Sequence, residues 1–95
     1  MERATVEADD QGRHHLFEGE PRTVVLSMAA EERIPAHSHP DRAVVFHVLS
    51  GEIALSLDEE TTMLGAGEVC RFDGDQEISP YAPTEAQALV ILAKR

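Results

Sequence analysis

The chain is short of cations and aromatic rings. Lys94 is its only lysine and every other basic side chain is arginine, so Lys+Arg reach 8 against 18 Asp+Glu, for a formal net charge of -10. A negative excess of this size repels nucleic acid and anionic membrane, so neither is expected as a partner. Tryptophan is absent and aromatics make up 4% of residues, which leaves Val, Leu, Ile and Ala to build a core. Such β-branched and aliphatic content favours a sheet over a helix bundle. Cys70 stands alone, so no internal disulfide can form and an oxidising compartment is not implied. It reads as a small buried apolar residue, since no nearby histidine in sequence is placed to activate it. Long apolar runs are missing too: Ala88 to Ala93 is far too short to cross a bilayer. Met1 to Ala4 lacks a basic region followed by an apolar stretch, so no signal peptide is expected and the expected location is cytoplasmic. There is no Gly-x-Ser-x-Gly elbow, and Gly65-Ala66-Gly67 is followed by neither Lys-Ser nor a helical pattern.

What is present is a series of short strands. At 95 residues the chain is one domain with a modest core. Residues 2 to 12 read as an acidic arm, with Glu2, Glu7, Asp9 and Asp10, or as a short edge strand around Thr5-Val6. Arg13 to Glu18 reads as a surface strand, in which His14 and His15 face opposite ways and cannot chelate one ion together. Arg22 to Met28 is a strand, Ala29 to Arg33 a connecting loop, and Ala43 to Leu49 a strand apolar on both faces except at His47. Glu52 to Asp58 alternates cleanly, with Ile53, Leu55 and Leu57 on one face. Thr61 to Leu64 and Glu68 to Phe72 follow, then a segment through Ser79, a loop from Pro80 to Thr84, and a last strand from Ala86 to Ala93. About nine short strands with frequent turn signals and no convincing helix give an all-β antiparallel sandwich or barrel. Strands apolar on both faces carry more hydrophobic surface than one small interior covers, so a homodimer is expected.

The stretch Ile34-Pro35-Ala36-His37-Ser38-His39-Pro40 holds the chemistry. In an extended segment alternate side chains share a face, so His37 and His39 point the same way. Two imidazoles so placed can grip a divalent ion or polarise one ligand.

In the order of these features the chain resembles the cupin superfamily, whose fold is a small antiparallel jelly-roll barrel. The resemblance covers roughly residues 22 to 93 as the barrel core, with residues 1 to 21 as an arm and edge strands. The first cupin motif is similar to His37-Ser38-His39 with the spacer through Arg42 and Val48-Leu49-Ser50-Gly51. The second is similar to Gly67-Glu68-Val69 followed by a strand and the turn Asp73-Gly74-Asp75. The family's usual metal site takes two histidines and a glutamate from the first motif and a third histidine from the second. His37 and His39 match the first two, but the glutamate position falls on Val44 and the third histidine position on Ile78. A turn one residue shorter would put Glu77 there instead.

The resemblance therefore implies a barrel with a half-erased metal site, because a transition metal normally takes at least three protein ligands. The expected reading is a small-ligand site at the barrel mouth formed by His37, His39, Val44, Phe46 and Ile78. A divalent Fe, Mn, Zn or Ni ion on His37, His39 and Glu77 would be weakly bound or absent. The competing readings are a metal-dependent dioxygenase- or isomerase-like enzyme using His37 and His39, and a structural dimer without pocket chemistry. His14, His15 and His47 have no assigned role.

An acidic, lysine-poor surface also fits a halophilic protein that works in concentrated salt, where screening removes self-repulsion. Thermal melts from low salt to molar potassium chloride check this: the midpoint should keep rising beyond about 0.15 M, where the Debye length is about 8 Å. A flat midpoint would return the chain to the ordinary acidic class.

Overall fold

The computed structural model of the chain describes residues 1–7 and 11–95, so Asp9 and Asp10 of the acidic arm lie outside the described residues. The first seven residues carry no strand, which matches the arm rather than the edge strand of the two readings of this segment. Nine strands follow among the described residues: β1 (Gly12–His15), β2 (Arg22–Met28), β3 (Glu32–Arg33), β4 (Arg42–Ser50), β5 (Glu52–Leu57), β6 (Glu60–Gly65), β7 (Val69–Asp73), β8 (Ile78–Ala82) and β9 (Ala86–Lys94). They form two antiparallel sheets, ordered β1-β2-β9-β4-β7 and β3-β8-β5-β6. Sequence neighbours β3 and β4 lie in different sheets, and so do β7 and β8. This all-β arrangement of two facing sheets is a jelly roll.

The period of two decides which side chains of β4 and β9 enter the core. On the larger sheet Val24, Leu26 and Met28 of β2, Val44, Phe46 and Val48 of β4, and Ala88 and Leu92 of β9 are buried, and Val25 and Ser27 on the other face of β2 are buried as well. Cross-strand register sets them in rows, one running Val24, Val90, Phe46, Cys70 and the next Leu92, Val44, Phe72. Burying a side chain such as Phe46 or Leu92 contributes about 1.5–3 kcal/mol each, and Ile53, Leu55 and Ile78 of the smaller sheet supply the opposing wall. Cys70 packs against this core as a half-buried residue. Its thiol pKa is raised by burial, which suits an inert rather than a nucleophilic role. The alternate set, with Val45 and His47 of β4 and Leu89 and Ile91 of β9, looks outward. Glu7 is tied to that outer side, its carbonyl accepting from Gln87 Nε2 at 2.9 Å while the same nitrogen meets Ser27 Oγ at 3.0 Å.

Two segments expected to be loop are strand. Glu32 and Arg33 pair with Ala82 and Tyr81, and the guanidinium of Arg33 lies 5.0 Å from the Tyr81 ring centroid. A two-residue strand carries too little periodicity to be seen in sequence. Pro80 sits inside β8, where a missing N–H would normally argue against a strand. Here Ile34 N donates to the Pro80 carbonyl at 2.9 Å, and Ser79 Oγ donates to the Ile34 carbonyl at 2.7 Å. The serine hydroxyl supplies the donor that proline lacks.

The turn Asp73-Gly74-Asp75 brings the two halves of the chain together. Gly74 N donates to Arg42 O at 2.8 Å, and Gly74 O accepts from His39 N at 2.7 Å. A Cβ on Gly74 would stand 2.4 Å from His39 O and 2.8 Å from Arg42 O, both backbone atoms. Gly74→Ala should therefore push the histidine segment away and destabilise the fold by about 1–3 kcal/mol. A urea unfolding curve with a lower midpoint, together with displaced His39 amide and ring resonances, is the expected result.

Candidate functional site

The histidine segment is held as an irregular continuation of β3 along β8. Arg33 pairs with Tyr81, but His37 bridges Ile78, so one extra residue has entered the segment between the two pairings. Pro35 lies within this bulged stretch, where the ladder needs no donor from it. His37 and Ile78 then exchange both backbone bonds, His37 N to Ile78 O at 3.1 Å and Ile78 N to His37 O at 2.7 Å. With His39 N anchored on Gly74, both histidines hang over the gap between the sheets.

Beneath them lies a cavity of about 50 Å³. His37, His39, Val44, Phe46 and Ile78 line it together. Val24, Leu26, Phe72, Val90 and Leu92 complete most of the apolar wall. The imidazole rings meet edge to face, with centroids 4.9 Å apart and an interplanar angle of 89°. His37 Nδ1 lies 2.9 Å from the Pro35 carbonyl. That oxygen can only accept, so Nδ1 carries the proton, and Nε2 is the acceptor in the neutral ring.

Glu77, the conditional third ligand, is exposed and is not among the residues that line the cavity. Its backbone is tied to the turn after β5, N donating to Asp58 Oδ1 at 2.9 Å and O accepting from Asp58 N at 2.8 Å. Ile78 takes the inward position, so the residue before it points away and is exposed. Among the described residues no three His, Cys, Asp or Glu side chains converge to hold a metal ion. The donor set at the cavity is two imidazoles facing hydrocarbon, which does not fit a tightly held transition metal. His47 lies on the outward face of β4, and His14 Nε2 is engaged by the Gln11 carbonyl at 2.9 Å.

The sequence reading missed most of the apolar wall and one charged lining residue, Arg13. Arg13 of β1 stands opposite Leu26 and reaches the cavity rim. The signal was present in the period of two, because Arg13 and His15 share a face of β1. Only the β1–β2 register shows that this face is the inner one.

His39 has its pKa lowered from the ordinary histidine value, first by burial and then by the charges of His37, Arg13, Arg22 and Arg42. Its ring is therefore neutral near pH 7. A folded-state pKa below the unfolded value means that stability is fully present above about 6.5 and falls as pH drops through the folded value. A proton NMR titration should give His39 a midpoint below about 6.5, and a midpoint above that would contradict the burial argument.

The chain matches the family model described as "Cupin domain" over residues 24–93. No curated protein matches it by sequence. Among solved structures it is similar to a conserved protein of unknown function from Streptococcus pyogenes, at 25% identity and a TM-score of 0.80, covering 100% of this chain and 91% of that one. An RmlC-like cupin from Desulfovibrio desulfuricans is 26% identical with a TM-score of 0.78, over 94% of this chain and 89% of the other. A cupin superfamily protein from Desulfitobacterium hafniense shares 13% identity with a TM-score of 0.82, over 97% and 84% of the two chains. The sheet order, the inward histidine pair above the cavity and the match across both motifs lead to one conclusion: this chain belongs to the cupin family.

Proposed function

We propose that the protein is a metal-independent cupin that binds a small, largely apolar molecule at the mouth of its barrel. The observation that carries this reading is the cavity's composition: hydrocarbon walls with two imidazoles and, among the described residues, no carboxylate. Fixed polar groups at the rim of an apolar cavity orient a ligand, while the walls supply affinity. His37, its ring positioned by Pro35, and His39, buried enough to stay neutral, are the orienting groups. A metal-dependent dioxygenase or isomerase would need a third protein donor, and the nearest carboxylate candidate in sequence, Glu77, is turned to solvent.

Elemental analysis of protein purified without a histidine tag tests the reading. Iron, zinc, manganese and nickel should each fall well below one equivalent. Added zinc should shift the thermal midpoint little, because a weakly held ligand stabilises only at concentrations far above its dissociation constant. The His37→Ala/His39→Ala variant should keep its fold. Stoichiometric metal in the parent protein, lost in that variant, would overturn the reading in favour of the enzyme.

A further inference from the structure

Arg13 and the fixed ring of His37 together narrow the class of ligand. Among the described residues no Asp or Glu lines the cavity, while Arg13 does. Arg22 makes no ion pair among the described residues, but it does not line the cavity, and three other arginines are engaged. Arg42 pairs with Glu20, Arg95 with Asp73 and Asp75, and Arg33 lies against Tyr81 and donates to Ser79 Oγ at 3.2 Å. Among the described residues Arg13 makes no ion pair. A chain with a net charge of -10 repels anions from most of its surface, so an arginine at an apolar opening with no carboxylate among its described lining residues selects them there.

The other polar group has the opposite preference. The Pro35 carbonyl takes the Nδ1 side of the His37 ring, which leaves Nε2 as the nitrogen able to accept from a ligand's hydrogen-bond donor. A bare carboxylate satisfies the guanidinium and offers nothing to Nε2, whereas a hydroxyl beside the carboxylate satisfies both. The cavity bounds the rest. At about 10–15 Å³ per water-sized position, its volume of about 50 Å³ takes roughly four carbon atoms.

Resting on the binding role proposed above, we infer that the ligand is a short-chain aliphatic hydroxycarboxylate, its carboxylate on Arg13, its hydroxyl donating to His37 Nε2, and its tail in the cavity.

Three probes separate the parts of this inference: 2-hydroxy-3-methylbutanoate, 3-methylbutanoate and the neutral 3-methylbutanamide. Each is titrated into the full chain at low salt, with amide and methyl NMR shifts of Val44, Phe46 and Ile78 reporting occupancy. The hydroxy acid should bind best, the plain acid next and the amide weakest. Arg13→Gln should weaken both acids about tenfold, as for a lost charge-assisted hydrogen bond, and leave the amide unchanged. Arg13→Lys should recover much of the loss. His37→Ala should erase the advantage of the hydroxy acid over the plain acid. If the amide binds at the cavity as tightly as the acids, or Arg13→Gln changes nothing, the inference falls while the cavity remains a binding site. If none of the three moves the cavity resonances, both the inference and the proposed binding role fall.

Discussion

The reciprocal backbone pair between His37 and Ile78 is the constraint on which the site depends. One short ladder rung fixes a bulged segment over the open end of the sandwich, and it does so from residues that also face the cavity. It lies between two further anchors of the same segment, Ile34 N on the Pro80 carbonyl and His39 N on the Gly74 carbonyl. The same hydrogen bonds that close the smaller sheet also set the distance between the rings and the hydrocarbon below them. At Gly74 the carbonyl receives His39 N where a side chain would block the approach.

Charge and cavity chemistry then act in opposition to the rest of the molecule. Most of the surface is acidic, but the opening gathers cationic character from Arg13, Arg22 and Arg42, which act together on His39. Burial and these cations push the imidazole toward its neutral form. The site is thus built from groups that hydrogen-bond and one arginine that carries charge, not from a cage of anionic ligands. A valine and an isoleucine where the family's usual site has a glutamate and a histidine make the same choice from the other side, exchanging metal donors for dry wall.

Much of the barrel was legible because alternation is a local property. Glu52 to Asp58 follows from a period of two, with Ile53 and Leu55 buried, while Arg22 to Met28 and Ala43 to Leu49 follow from their apolar runs. Illegible parts were those where local rules are overridden. Pro80 argued for a loop, yet a serine hydroxyl from the preceding residue replaces the absent donor. Glu32 and Arg33 form a strand only because Tyr81 and Ala82 are there to pair with.

The sequence by itself determined the antiparallel all-β character and the shared face of His37 and His39, which rest on side-chain alternation that any reader of the chain can count. The resemblance to the family rests on motif order, and it is the resemblance that implies a metal site with Val44 and Ile78 at two ligand positions. Tertiary structure alone decided that Glu77 faces solvent and that Arg13 faces the cavity. Both are questions of register: a turn one residue longer or shorter, or an edge strand paired one position along, reverses every side chain in the strand. Which register wins depends on hydrogen bonds between residues far apart in sequence, Asp58 with Glu77 in one case and β1 with β2 in the other.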